Sequence, residues 1–244
     1  MDNYKQNIFI FWDNNTPEVY LNHKDNLKKM FPRYNVHLID DEWVINYYTS
    51  RNQEDFCNIY KKMTLGAAKA DIIRFLLMYE YGGLYLDIMN YPRKELNIDD
   101  LFSKLDHKST YVGAWEPCNI TFQLILSKPK TLLMEKLYVL AKNNLINHYK
   151  EESNSETYVR YNLVSLTGPL LFHDIIVNKP FKGWDVYLNC SENSPQNKKY
   201  FGKWDCDLID LEKTFWLWKV GFDNHHGKNM DKHWSKQQSK KLFH

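Results

Sequence analysis

The stretch from Thr64 to Asp87, TLGAAKADIIRFLLMYEYGGLYLD, constrains this chain more than any other. Residues 66–80 are apolar nearly all round from Ile72 to Met78, the pattern of a buried helix. Asp71 and Arg74 stand at i and i+3, on one face of that helix. A buried charge needs a partner, so spacing alone reads the two as a structural salt bridge. Gly82 and Gly83 suit the left-handed position at which many helices end. Leu84, Tyr85 and Leu86 are too few and too apolar for a surface loop, which predicts a short buried strand. Asp87 is then delivered at the strand's C-terminal end, the edge where open α/β sheets bind ligands.

The rest of the chain reads as α/β around that stretch. Ile8–Trp12 is an apolar run, predicted as the first and central strand, and Asp13–Pro17 is a loop by composition. Pro17–Phe31 carries an amphipathic helix pattern, and Asn35–Ile39 reads as a second strand. A β-α-β opening of this length implies a parallel pair with a right-handed crossover. Asp40, Asp41 and Glu42 read as a solvated helix start, and Glu54–Met63 as a helix. Further strands are predicted at Tyr111–Glu116 and Ile120–Leu126, and an amphipathic helix at Thr131–Ile146. Lys150–Glu156 is polar and loop-like. Thr167-Gly168-Pro169 is a turn that opens an apolar helix over Leu170–Val177.

At 244 residues, with 43% hydrophobic and 16% aromatic content, the chain suits one substantial globular domain. A net charge of +2 argues against nucleic acid as a partner. Four cysteines are widely spaced with no C-x-x-C pair, which suggests reduced thiols and a cytoplasmic setting, with two disulfides as the alternative. The N-terminus is too polar for a signal peptide, and no apolar run approaches the length of a membrane span. From Lys213 onward seven lysines face two aspartates. This basic tail is expected to attract a diphosphate, an anionic acceptor or a membrane surface, or else to solubilise the end, and mobility before substrate arrives would suit a lid.

The order A-x-x-x-D-x-x-R followed by Y-x-Y-G-G-L-Y-L-D resembles the glycosyltransferases whose sugar-binding region contains a DXD motif. That group includes initiating mannosyltransferases, capsular polysaccharide enzymes and, more distantly, the clostridial glucosylating toxins. The resemblance implies a GT-A fold, a nucleotide-diphospho-sugar transferase domain with a mixed, mostly parallel sheet. Residues 1–244 would form one domain, nucleotide-binding over about 1–115, with an acceptor side and C-terminal lid over about 116–244. It implies transfer of a hexose from a UDP- or GDP-sugar to a glycan or other acceptor, with retention, and a Mn²⁺ or Mg²⁺ cofactor.

Carried over residue by residue, the resemblance has Trp12 stacking on the base and Asp71 and Arg74 orienting ribose and sugar. Tyr85 and Gly168, within the G-G-L-Y-L-D and T-G-P motifs, would line the nucleotide site. Asp87 would hold the cation, with His225 or His226 completing its shell and Trp234 covering the leaving group. Glu116 is the candidate for acid–base or acceptor contact. The pattern departs at Asp87-Ile88-Met89-Asn90, where methionine stands in place of the second DXD carboxylate. Methionine is a poor ligand for hard cations, and along a strand alternation would turn Asn90 to the face opposite Met89. The competing expectation is a non-catalytic sugar-nucleotide or glycan-binding module on the same fold.

Overall fold

The β-α-β opening forms as predicted. Strand β1 (Asn7–Phe11) runs parallel to β2 (Asn35–Ile39), in register from Asn7 against Asn35 to Phe11 against Ile39, with helix α1 (Glu18–Met30) as the crossover. The computed structural model describes residues 3–13, 16–93, 96–115, 119–177, 205–210, 215–216 and 237–244. After β2 come α2 (Asp41–Thr49), α3 (Glu54–Lys62) and α4 (Gly66–Glu80), the predicted buried helix. Strand β3 (Gly83–Leu86) then returns to the other side of β1 and pairs with it in parallel.

Beyond β3 lie a short strand β4 (Tyr91–Pro92), helix α5 (Ile98–Ser103) and strands β5 (Thr110–Trp115) and β6 (Asn119–Ser127). Helices α6 (Leu132–Ser153), α7 (Leu163–Leu166) and α8 (Leu170–Val177) follow, then strands β7 (Cys206–Asp210) and β8 (Phe215–Trp216). The main sheet has the order β2-β1-β3-β6-β5-β7. Pairs β2–β1, β1–β3 and β5–β7 are parallel, while β3–β6 and β6–β5 are antiparallel. This mixed, mostly parallel α/β sheet is consistent with the GT-A architecture.

Both faces of the sheet are covered, as the continuous apolar runs of its inner strands require. Side chains alternate between two cores: Phe9 and Phe11 join one, Ile8 and Ile10 the other. Tyr85 belongs to the first core and its neighbours Leu84 and Leu86 to the second. Helices α2, α3, α4 and α6 fill the first core, and α1 and α5 the second. The two glycines before β3 do what their position predicts. Gly82 and Gly83 have φ of 64° and 105°, and a Cβ on Gly83 would stand 2.5 Å from the Asn7 carbonyl oxygen. Only glycine lets β3 start this close to β1.

Three expectations need correction. Residues 150–153, expected to lie in a loop, continue α6. Lys150, Glu151 and Ser153 are exposed, whereas Glu152 is buried and accepts the backbone N–H groups of Leu242 and Phe243 at 3.1 and 3.0 Å. Of the expected basic tail, residues 242 and 243 are docked on the fold, while Lys240 and Lys241 stay exposed. Leu242 and Phe243 are buried, Met63 and Phe243 form a β-bridge, and Thr64 N–H donates to the Leu242 carbonyl at 2.8 Å. Finally, Asp41 is not solvated. Asp40 caps α2 by accepting Trp43 N–H, while Asp41 is buried against Lys69 Nζ (2.7 Å) and the Tyr60 hydroxyl (2.5 Å). Each misreading has one cause: a polar residue satisfied by a partner distant in sequence.

Candidate functional site

Strand β1 has β2 on one side and β3 on the other, so the chain's connections diverge at its C-terminal end. Such a switch point opens a crevice at the carboxyl edge of the sheet. Trp12 and Asp13 follow β1 there, and Asp87 follows β3. Trp12 donates its backbone N–H to the Ile39 carbonyl at 3.0 Å and stays half-buried, its ring centroid 4.4 Å from that of Tyr20. Gly66 opens α4 beside Asp13, where a Cβ would lie 3.1 Å from Asp13 Oδ2.

The salt bridge expected from spacing is present, and it is part of a longer relay. Arg74 Nη2 lies 3.3 Å from Asp71 Oδ1 and 3.1 Å from Asp87 Oδ1. Its Nη1 donates to the Phe122 carbonyl at 2.7 Å and its Nε to the Ala70 carbonyl at 3.2 Å. The guanidinium carbon sits 5.0 Å from the Tyr85 ring centroid, a cation–π distance. Tyr85, 1% exposed, donates its hydroxyl to Asp87 Oδ1 at 3.2 Å. At the far end the Thr167 hydroxyl donates to Asp71 Oδ2 at 2.8 Å. Asp71 and Arg74 are buried, whereas the Asp87 side chain keeps 30% of its surface exposed. The relay thus runs from the T-G-P turn through the helix to one carboxylate that reaches solvent.

Burial sets the protonation of this relay. It pushes the Asp71 carboxyl up to about 6, against the pull of the Arg74 charge and the Thr167 hydrogen bond, with the Asp87 charge adding to the rise. Burial opposes the charge on Arg74, yet Asp87, Tyr85 and Asp71 together outweigh it and hold the guanidinium above its usual range. Burial likewise raises the Tyr85 phenol, which stays a neutral donor to Asp87.

Asp87–Asn90 is a tight turn, not a strand extension: Asn90 N–H donates to the Asp87 carbonyl at 2.9 Å. Strand alternation therefore does not govern Asn90. Its side-chain amide donates to the Gln123 carbonyl at 2.9 Å, and the residue is buried. The same carbonyl accepts Asp87 N–H at 2.8 Å, so β6 pins both ends of the turn. Met89 packs, half-buried, against the second core. Asp87 Oδ1 is committed to Arg74 and Tyr85, which leaves Oδ2 as the carboxylate oxygen that neither of them engages. Among the described residues no group of three His, Cys, Asp or Glu is placed to hold a metal ion.

Gly168 is buried in the turn between α7 and α8, where a Cβ would lie 2.9 Å from the Val164 Cα. Its place is close backbone packing, with Thr167 as the motif's chemical contact. The backbone carbonyls of Phe122 and Gln123, which hold Arg74 and the Asp87 turn, carry no signal in the sequence. Strand β8 pairs with β4, Trp216 against Tyr91 and Phe215 against Pro92, and so brings these two residues to the exit of the Asp87 turn. Glu116, His225, His226 and Trp234 lie outside the described residues.

The model of one protein family, described as a glycosyltransferase sugar-binding region containing a DXD motif, matches residues 16–108. A solved structure titled PaToxG Glycosyltransferase shares 15% identity, with 72% of this chain and 70% of that chain covered and a TM-score of 0.43. No curated protein sequence matches the chain. The segment that carries Asp71, Arg74 and Asp87 is therefore similar to the sugar-binding region of glycosyltransferases.

Proposed function

We propose that the protein is a glycosyltransferase that moves a hexose from a UDP- or GDP-sugar to a glycan or other acceptor, with retention. The observation that carries this reading is the buried Asp71–Arg74–Asp87 relay, which presents one carboxylate at the switch point of the sheet. The family match over residues 16–108 supports it. Trp12, half-buried at the end of β1, offers its ring to a base. Asp71 and Arg74 orient ribose and sugar at the crevice floor, and Asp87 is held by Arg74 and Tyr85. Glu116 meets the acceptor, and Trp234 covers the leaving group. The whole chain acts as one domain, in the cytoplasm. The free thiol of Cys57 supports a reducing compartment.

Mn²⁺ or Mg²⁺ fits this crevice in part. Asp87 Oδ2 supplies one hard oxygen, and His225 or His226 would supply a second ligand. When bound, the cation acts as a Lewis acid that stabilises the departing nucleotide diphosphate. Arg74 contributes positive charge to the same edge without leaving the protein.

A second reading rests on Met89. With a thioether in place of the second carboxylate, the fold would bind a sugar nucleotide or glycan without turning it over. A thermal-shift panel of UDP, GDP and their common sugars, each with and without Mn²⁺, tests the proposal. A ligand that binds only the native state must raise the melting temperature. A shift with one nucleotide names the donor class; binding without release of free nucleotide diphosphate from any donor favours the module. No shift with any nucleotide refutes the transferase reading and leaves a glycan-binding module as the better one. Met89→Asp is expected to tighten Mn²⁺-dependent nucleotide binding by about tenfold, as an added carboxylate does at hard-cation sites. An unchanged response to Mn²⁺ would remove residue 89 from the cation's surroundings.

A further inference from the structure

We propose that Thr167 is a positioning residue of this crevice: its hydroxyl fixes the Asp71 carboxylate, which fixes Arg74, which aims Asp87. The inference rests on the reading of the crevice as a nucleotide-sugar site, and it concerns a side chain that the family match over residues 16–108 does not reach. Thr167 Oγ1 and Asp71 Oδ2 are 2.8 Å apart, both residues are buried, and 96 residues separate them in the chain. Asp71 divides its carboxylate between two partners, Oδ2 to Thr167 and Oδ1 to Arg74. With both oxygens engaged the carboxylate has a single rotamer, and the guanidinium opposite it has a single plane. Arg74 cannot rotate without also giving up the Phe122 carbonyl at 2.7 Å. Asp87 Oδ1 therefore sits where Arg74 places it, on a side chain that keeps 30% of its surface exposed.

The backbone explains how a turn can act so far from its own helix. The N–H groups of Thr167 and Gly168 both donate to the Leu163 carbonyl at 3.0 Å, which closes α7 and holds the Thr167 backbone in place. Close packing of Gly168 on Val164 holds the turn against α7. A valine at 167 keeps the shape and removes the donor, so Asp71 Oδ2 loses its buried partner. A serine keeps the donor.

The test compares the wild type with Thr167→Val and Thr167→Ser, using two readouts. The first is the NMR signature of the Arg74 side chain in arginine-labelled protein, assigned through Arg74→Lys. Separate, slowly exchanging Nη signals are expected in the wild type and in Thr167→Ser, and exchange-averaged signals in Thr167→Val. The second is affinity for the nucleotide that stabilises the wild type. Thr167→Val is expected to weaken it by about tenfold, the usual scale for stranding a buried acceptor, and Thr167→Ser to restore it to within about threefold. A purely structural threonine would lower the melting temperature of the valine variant and leave both the Arg74 signals and the affinity unchanged. That result overturns the proposal. If Thr167→Val does not fold, Thr167→Ala replaces it under the same criteria. Should the wild type bind no nucleotide, the reading of the crevice fails, and the Arg74 signals alone decide the role of Thr167.

Discussion

Replacing Arg74 with methionine is expected to cost the native state about 3–5 kcal/mol at neutral pH, the usual scale for breaking a buried ion pair by removing one partner. The guanidinium serves two carboxylates, two backbone carbonyls and an aromatic face. Methionine fills much of its volume and satisfies none of them. Asp71 would then be a buried carboxyl with only Thr167 beside it, driven to take up a proton or stay an unpaired charge, and Asp87 would lose the contact that directs it. Urea unfolding of the two proteins measures the difference as a shift in midpoint with the slope retained. The cost should shrink when Asp71→Asn is added, because the stranded charge is gone, and the pair should be non-additive by more than about 0.5 kcal/mol. A midpoint equal to that of the wild type would mean that Arg74 does not hold the relay together.

That relay was half legible in the sequence. The i, i+3 spacing announces the Asp71–Arg74 bridge, because a helix that is apolar all round cannot bury either charge alone. Gly82-Gly83 and the three-residue strand announce where Asp87 emerges. The same local logic predicts β1, β2 and α4 to within a residue, since each is written in its own periodicity. What the sequence could not show is how distant segments satisfy one another. Thr167 reads as part of a turn, and only the fold brings its hydroxyl to Asp71. Glu152 reads as a loop residue because nothing near it in sequence signals that Leu242 and Phe243 will donate to it. Strand alternation puts Asn90 on the face opposite Met89, which fails because the chain turns at Asp87 to hydrogen-bond with Gln123 of β6. Backbone carbonyls that serve as ligands, such as that of Phe122, are invisible to any pattern of side chains.

Two buried groups should give the stability of this protein opposite dependences on pH. Burial raises the Asp71 carboxyl from 3.8 to about 6, so between those values the native state binds more protons than the unfolded chain, and stability falls as pH rises. His23, on α1 beside Tyr91, shows the reverse. Burial lowers it from 6.5 to about 4, with the Asn90 backbone offsetting part of the effect. The unfolded chain then binds more protons across that window, and stability rises with pH. At 1.36 kcal/mol per unit, each shift is worth roughly 3 kcal/mol, so between pH 4 and 6 the two largely cancel. Separating them exposes both. Asp71→Asn keeps an acceptor for Thr167 and removes the carboxyl titration, so its stability relative to the wild type should rise by about 3 kcal/mol across the Asp71 window of pH 3.8–6. His23→Gln should show the opposite, falling relative to the wild type by about 3 kcal/mol as pH rises from 4 to 6.5. Urea midpoints taken at half-unit steps of pH measure both slopes. Two curves parallel to that of the wild type would mean that neither group is buried as described. Divergent curves would place Asp71 among the groups whose protonation state the fold itself controls, so that acidification below 6 neutralises the partner that holds Arg74 toward the crevice.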